Sequence, residues 1–292
     1  MTLQTFLVFD SAVAQNGSDE EIKIDSSIVI LNALVTDKDG AAVKNLGVDA
    51  FELHENGERQ TIDFVEPQST PFAAVILIDV SGSMEHRVSL ARSAAIRFLD
   101  GIRPEDQVSI FSFHRKVEKL QDFSNSKNLR SRIFDLKARG YTALNDAIYK
   151  AALELEERNE KRRAIVVLSD GEDTRSGVSA SKALKAAQRA HATIYTVDMS
   201  LMSPANTRRR QNQQVLKKFS SKTGGTFVAT PGGVQLREAF AEIVKDLGVL
   251  YTVGYSSTNQ SKDGKWRKIS LKTAEKGFSV RTREGYYAAK KK

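Results

Sequence analysis

The feature that most constrains the fold is an uninterrupted apolar run that ends in alternating oxygen side chains, residues 74–83 (AVILIDVSGS). A short apolar run that leads into a polar loop is typical of a strand buried on both faces, as in a parallel sheet. Asp79, Ser81 and Ser83 follow at every second position, and Gly82 allows a tight turn. We therefore predict a buried strand whose loop directs a carboxylate and two hydroxyls at one spot. Such hard oxygen ligands suit Mg²⁺, Mn²⁺ or Ca²⁺.

Composition places the chain among ordinary globular proteins. Its 292 residues are 40% hydrophobic and 27% charged, which allows one or two domains with a large core. The formal charge of +8 permits an anionic partner without establishing one, since a basic soluble protein is the commoner case. The chain has no cysteine, which excludes a disulfide framework and a thiolate metal site.

The beginning of the chain has a mixed character. Residues 2–9 are partly apolar, and residues 12–14 (AVA) match a small-x-small cleavage site, but a basic start is missing. We interpret residues 1–26 as a weak or truncated export signal followed by a flexible acidic stretch, with a disordered tail as the alternative. No later stretch reaches the roughly 18 apolar residues that a membrane helix needs. The expected location is therefore secreted, periplasmic or in the cell envelope.

Alternating strand and helix patterns occupy the middle of the chain, and β patterns occupy its two ends. We predict an N-terminal β segment (27–66), an α/β domain (72–248) and a C-terminal β segment (249–288) that pairs with the first. The fold class is α/β, with a doubly wound, mostly parallel sheet of Rossmann type and a small β subdomain made from the two flanks.

The sequence also predicts several individual strands, helices and loops within these segments. Residues 108–117 have the pattern of one strand, residues 129–136 of a short helix, and residues 200–212 of a polar, Arg-rich loop before a helix over 215–223. Residues 278–283 are expected to form the last strand.

Two further oxygen side chains lie in segments that the predicted fold brings near the loop that contains Asp79. A second apolar strand, residues 164–168, ends in Asp170, and Thr142 lies in the loop before a long amphipathic helix. In doubly wound sheets, ligands bind at the carboxyl ends of the strands, near the point where strand order reverses. Acids after strands also occur simply as helix caps and turn formers.

Three separated motifs resemble the metal-ion-dependent adhesion site of von Willebrand factor type A domains. They are DVSGS at 79–83, GYTALNDA around Thr142, and VVLSDGED around Asp170. The resemblance covers roughly residues 72–248. The flanks are similar to a bacterial group of von Willebrand A-related proteins, through DKDG (37–40), FELHENG (51–57), DGKWRK (263–268) and REGYY (283–287).

The resemblance implies a metal site and a way of using it. Ser81, Ser83 and Thr142 would coordinate Mg²⁺ directly or through water, and Asp79 and Asp170 would contribute charge. A partner protein's Asp or Glu carboxylate would replace one water and complete the octahedral shell. This implies a metal-dependent protein-binding module rather than an enzyme.

Two alternatives stay open at this stage. One is a structural or assembly protein of the envelope in which the metal only braces the fold. The other is a basic binder of anions or nucleic acid that uses Arg208–Arg210; a solvated loop is the commoner meaning of such a run. Enzyme classes find little support, because the chain lacks HExxH, a phosphate-binding GxxxxGK[ST] loop and a GxSxG elbow. The oligomeric state is not predicted.

Overall fold

The computed structural model describes residues 28–66, 70–127, 133–200, 207–229 and 233–290. The predicted signal or flexible tail, residues 1–26, lies outside the described residues.

A central sheet positions the motifs. Within the described residues its strands are β5 (Phe72–Asp79), β6 (Gln107–Phe113), β7 (Val117–Ser124), β8 (Arg162–Ser169), β9 (Ala192–Asp198) and β10 (Phe227–Ala229). Their order is β10-β9-β8-β5-β6-β7, and all neighbours are parallel except β6 and β7. The chain starts the sheet with β5 and then adds strands on both sides of it. Strand order therefore reverses at β5, the strand that ends in Asp79.

In the described parts of the chain, five α-helices cover the two faces of this sheet. They are α1 (Val88–Gly101), α2 (Leu144–Glu156), α3 (Ala180–Arg189), α4 (Thr207–Thr223) and α5 (Val234–Val249). Side chains of β5 alternate between two cores: Ile76 packs in the core with α1 and α5, and Val75 and Leu77 pack in the core with α2, α3 and α4. Every residue of β5 is buried, which confirms the predicted doubly covered strand.

The two flanks form a β-sandwich. One sheet has the order β13-β1-β11-β4 and the other β14-β12-β2-β3. The strands are β1 (Ile28–Thr36), β2 (Phe51–Glu55), β3 (Glu58–Gln60), β4 (Phe64–Glu66), β11 (Tyr251–Ser256), β12 (Trp266–Thr273), β13 (Ser279–Arg281) and β14 (Gly285–Tyr287). N-terminal strands pair antiparallel with C-terminal ones, β1 with β11 and β2 with β12. The α/β class and the β subdomain built from both flanks are thus confirmed.

Buried polar contacts join the sandwich to the α/β domain. Arg162 is fully buried and donates from Nε to Thr252 Oγ1 at 3.2 Å. Arg283 donates from Nη1 to the carbonyl of Gln188 at 3.0 Å. A Cβ at Gly224 would lie 2.7 Å from the backbone of Thr282, so the last turn of α4 approaches the sandwich more closely than a side chain would allow.

Four expectations about elements were wrong or only partly right. Residues 108–117 do not form one strand, because the chain turns at 114–116 and continues as the antiparallel β7. Residues 133–136 of the expected short helix form a turn and irregular chain, and residues 128–132 lie outside the described residues. In the expected Arg-rich loop, residues 207–212 already belong to α4, whose 17 residues begin at Thr207. The strand expected over 278–283 is the shorter β13, and β14, which follows it, was not predicted.

In the described ranges, no helix is both long and apolar enough to cross a bilayer.

Candidate metal centre

The loop after β5 curls immediately where the strand ends. Asp79 Oδ1 accepts a hydrogen bond from the backbone N–H of Ser81 at 2.9 Å, which closes an Asx turn. A 3-10 turn over Gly82–Met84 then brings Ser81 Oγ to 3.1 Å from Ser83 Oγ. Asp79 and Ser81 are buried and Ser83 is exposed. The loop therefore runs from the buried edge of the sheet to the protein surface.

Strand β8 ends beside this loop and contributes a second carboxylate. Ser169 Oγ donates to Asp79 Oδ2 at 2.6 Å and accepts from the N–H of Gly171 at 3.0 Å. Asp170 follows Ser169, and its Oδ1 accepts from the N–H of Glu172 at 3.1 Å. The hydroxyl of Ser169 therefore links the two acidic loops at the point where strand order reverses.

Backbone hydrogen bonds attach the Thr142 loop to both of the others. The N–H of Gly82 donates to Gly140 O at 3.1 Å, and the N–H of Arg139 donates to Val80 O at 2.8 Å. On the other side, the N–H groups of Thr174 and Arg175 both donate to Thr142 O at 2.9 Å. Thr142 is buried, at 2% exposure, between the two acidic loops. Three loops that are far apart in sequence thus meet at one edge of the sheet.

The charges at this edge of the central sheet favour the binding of a cation. Burial, and to a smaller extent the neighbouring Asp170 carboxylate, raises the pKa of Asp79 to about 7 against the lowering effect of the hydrogen bonds from Ser169 and Ser81. Neither carboxylate forms an ion pair with a Lys or Arg of the described residues. A buried carboxylate beside a second one, with no basic partner, is a charge arrangement that a bound cation would relieve.

The donor set fits a hard divalent ion. The three loops described above carry two carboxylates and three hydroxyls, and hydroxyl and carboxylate oxygens are ligands of Mg²⁺ and Ca²⁺. Among the described residues there is no group of three or more His, Cys, Asp or Glu side chains arranged to hold a metal. This candidate centre is of another kind, because three of its five side chains are hydroxyls.

Two positioning residues escaped the sequence reasoning. Ser169 is one, although a small polar residue at the end of an apolar strand is a usable signal. Thr174 is another: its Oγ1 accepts from the N–H of Thr142 at 3.0 Å. For Asp146, the sequence favours bracing of the Thr142 loop over metal binding. In the structure Asp146 accepts from the N–H groups of Gly177 and Val178 at 3.0 and 2.9 Å and so holds the loop after Asp170.

Gly171 has a tertiary reason to be glycine. Its φ is +80°, and a Cβ there would lie 2.7 Å from the carbonyl oxygen of Asn212 on α4. The Asp170 loop and α4 are therefore in direct contact. Arg208, at the start of the same helix, forms an ion pair with Glu172. Part of the predicted basic run thus faces the acidic loop.

Comparison with known proteins matches the stretch of chain that carries the three loops, and the fold. Residues 74–172, which contain the three motif loops, match the family model for the von Willebrand factor type A domain. Inter-alpha-trypsin inhibitor heavy chain H4 from Bos taurus is 30% identical over 118 residues, 36% of this chain and 13% of that protein. The Sus scrofa protein of the same name is 28% identical over 206 residues, 64% of this chain and 22% of its own. The chain thus spans less than a quarter of the length of these relatives.

Solved structures share the architecture at low sequence identity. A von Willebrand factor type A structure from Catenulispora acidiphila has a TM-score of 0.50 at 13% identity, covering 92% of this chain and 76% of that one. The vWF domain of the type V pili tip protein Mfa5 from Porphyromonas gingivalis also has a TM-score of 0.50, at 14% identity over 61% of this chain and 95% of its own. At these identities the likeness shows the fold. Together with the family match, it identifies this chain as a protein that contains a von Willebrand factor type A domain.

Proposed function

We propose that the chain is a non-enzymatic, Mg²⁺-dependent protein-binding module whose partner supplies an Asp or Glu carboxylate. The observation that carries the proposal is the pairing of buried Asp79 with Asp170, without a basic partner among the described residues, beside the hydroxyls of Ser81, Ser83 and Thr142. A bound ion would supply an electrophilic coordination position for an acidic side chain. Mn²⁺ and Ca²⁺ suit the same oxygen donors.

The proposed role of each residue depends on how deeply it is buried. Asp79 lies at the end of β5, fully buried, and holds the Ser81 backbone and the Ser169 hydroxyl in place. Ser83 lies at the surface, where an incoming carboxylate would arrive. Because the hydroxyls would be the direct ligands and the carboxylates would lie behind them, little of the ion's charge would be neutralised directly, and it would remain attractive to a further anionic ligand.

A purely fold-bracing role for the metal is the weaker candidate. The three loops are already joined by backbone hydrogen bonds, such as Gly82 N–H to Gly140 O and Thr174 N–H to Thr142 O. Loops that are tied in this way need no ion to bring them together. Nucleic-acid binding through Arg208–Arg210 is weakened by the ion pair between Arg208 and Glu172.

The proposal includes a location for the protein outside the cytoplasm. The Porphyromonas gingivalis protein that shares this fold is a type V pili tip protein. With the export-like start of the sequence, this supports a bacterial protein that works outside the cytoplasm, in the envelope or secreted. Its partner is expected to be a protein that presents an exposed acidic side chain.

A calorimetric Mg²⁺ titration of the full chain tests the metal site. We expect saturable one-to-one binding that Asp79→Ala abolishes and Ser83→Ala weakens at least about tenfold, which corresponds to about 1.4 kcal/mol. Ser93→Ala, an exposed hydroxyl on α1, is the matched control and should bind like wild type. Equal binding by wild type and Asp79→Ala would refute the site, and partner capture that is unchanged in a chelator would refute metal dependence.

A further inference from the structure

A cleft away from the metal centre separates the α/β domain from the β-sandwich. It encloses about 440 Å³ between α3, α4 and the sandwich strands β12 and β14. Its lining is mostly apolar, with Leu184, Val215, Phe219 and Trp266 contributing. The volume falls within the roughly 300–1,000 Å³ range of ligand pockets. We call it the basic cleft, for the lysines at its rim: Lys185, Lys218 and Lys222.

The aromatic wall of the basic cleft is held in place by the fold. The rings of Trp266 and Tyr287 meet edge to face, with centroids 5.0 Å apart. Gly285 makes room for this, since a Cβ there would lie 2.5 Å from the indole ring. Lys185 Nζ lies 4.5 Å from the centroid of the Tyr287 ring, in a cation–π contact. Trp266 is half-buried and Tyr287 is 43% exposed, so both rings are available to a ligand.

The charged side chains that line the basic cleft are all positive. No Asp or Glu lines it, and Lys185 and Lys218 form no ion pair with any described residue. Lys222 differs, because it pairs with Glu284. The positive charges of Lys185 and Lys218, which have no ion-pair partner among the described residues, thus lie beside the apolar lining of the cleft.

The neighbouring groove extends the same pattern. It encloses about 570 Å³, shares Lys185 and Tyr287 with the basic cleft, and also has no acidic lining residue. It adds Lys182 and Lys290 to the rim, neither of which forms an ion pair with a described residue. The two sites therefore make one continuous basic surface along α3.

Two other grooves of the described structure are mixed in charge. One groove of about 530 Å³ is lined by Glu275 and Glu284 as well as lysine. A second of the same volume has Glu118 and Asp135 beside its basic residues. The acid-free lining along α3 therefore does not follow from the chain's net charge alone.

We propose that the basic cleft is a second, metal-independent docking site for an acidic peptide segment that carries a large apolar side chain. The apolar side chain would pack against Trp266 and Phe219, and flanking carboxylates would pair with Lys185 and Lys218. Aromatic rings in a partly desolvated pocket are typical anchors of an interface, and complementary charge at the rim sets specificity and association rate. The apolar lining favours a peptide over a nucleic acid or another uniformly charged polymer.

The chain carries its own reporter for this site. Trp266 is its only tryptophan, so the intrinsic indole fluorescence comes entirely from the wall of the basic cleft. The probe is a synthetic peptide of about 12 residues in which Phe and Leu alternate with Glu, long enough to span the cleft when extended. We expect saturable binding to the full chain with a blue shift of the Trp266 emission, because the peptide excludes water from the ring. Binding should weaken as salt is raised, since the lysines are exposed.

Variants and comparison peptides separate the parts of the proposal. Lys185→Glu with Lys218→Glu should weaken the probe peptide at least about tenfold, while Lys44→Glu, an exposed lysine of the loop after β1, should leave it unchanged. A peptide with Lys in place of Glu, and a polyglutamate without apolar residues, should each bind at least about tenfold more weakly. Both lysine variants alter side chains at the surface, so the test does not depend on a variant that disturbs the core.

Chelator distinguishes this site from the proposed metal-dependent one. Probe binding should be the same in EDTA and in Asp79→Ala, whereas loss of binding under either condition would place the peptide at the metal centre and overturn the proposal. A single-stranded oligonucleotide that binds as tightly as the peptide would overturn it in favour of general polyanion binding. Absence of probe binding at hundreds of micromolar peptide would also refute it.

Discussion

Replacing Asp79 by asparagine should stabilise the metal-free protein above neutral pH. The Asp79 carboxylate is fully buried next to Asp170, and its pKa is raised to about 7. Asparagine has nearly the same shape and no charge. Its carbonyl can accept from the Ser81 N–H, and its amide can donate to Ser169 Oγ once that hydroxyl rotates, so both hydrogen bonds seen in the structure have an equivalent.

The magnitude follows from the pKa difference between the folded and unfolded chain. A rise from 3.8 to about 7 corresponds to about 4 kcal/mol, since one pKa unit is worth about 1.4 kcal/mol. The unfolded chain loses the Asp79 proton near pH 4 and the folded chain near pH 7. Deprotonation therefore favours the unfolded state, and the wild-type free energy of unfolding should fall relative to Asp79→Asn between these two pH values.

The assay is denaturant unfolding of both proteins in EDTA at pH 4, 5.5 and 8. The free energies of unfolding should be similar at pH 4, and Asp79→Asn should be the more stable by up to about 4 kcal/mol at pH 8. Groups that do not interact with position 79 titrate alike in both chains, so the difference isolates Asp79 together with its interaction with Asp170. Asp198→Asn is the matched control, because Asp198 is an equally buried aspartate at the end of β9 whose oxygens accept from Gln213 and Ser200.

Saturating Mg²⁺ should narrow the stability difference between the two proteins at pH 8, from about 4 kcal/mol to about 1 kcal/mol. An ion that binds only the folded wild type adds about 2.7 kcal/mol at about a hundred times its dissociation constant, and Asp79→Asn should gain far less. A stability difference between the two proteins that does not change with pH would refute the electrostatic reasoning. The same change in Asp198→Asn would show that any buried aspartate of this sheet edge behaves in this way.

Three further perturbations test other parts of the structure. Gly171→Ala should destabilise the chain by more than about 1 kcal/mol in denaturant unfolding, because φ is +80° and the added carbon meets α4; an unchanged midpoint would contradict the close approach. Glu55→Ala should cost about 3 kcal/mol or more, since this buried carboxylate accepts from Tyr255, Ser257 and Tyr286 at 2.8–3.0 Å; Glu52→Ala, on the same strand and more exposed, is the control. Phe240→Ala should cost about 3–5 kcal/mol because the ring is fully buried against Phe98, and a thermal midpoint within about 1 °C of wild type would exclude that packing role.

Sequence reasoning worked best where local pattern and burial coincide. The run at 74–79 is buried residue by residue in β5, because a strand covered on both faces must be apolar on both faces. The long helix after Thr142 and the last helix of the α/β domain were likewise found, since their apolar stripes repeat at helical spacing.

The errors arose where no local signal marks the change. The turn between β6 and β7 uses His114, Arg115 and Lys116, none of which is a strong turn former, and it is held by a bond from the His114 N–H to Lys116 O at 3.0 Å. The start of α4 is polar and Arg-rich, with little apolar periodicity, so it resembled a loop. Contacts such as Gly171 against Asn212 support that helix, and they join residues that are distant in the sequence.

The sequence by itself determined the class of fold and the chemical character of the candidate site. The period of the apolar residues is a local property, and the hydroxyl and carboxylate side chains after Asp79, around Thr142 and at Asp170 can be identified without a structure. Only the tertiary structure decided how the three loops are joined, that Asp79 is buried beside a second acid, and that a cleft with an aromatic wall and a lysine rim opens between α3 and the sandwich. These features depend on long-range packing and on desolvation, and neither is a property of any single stretch of chain.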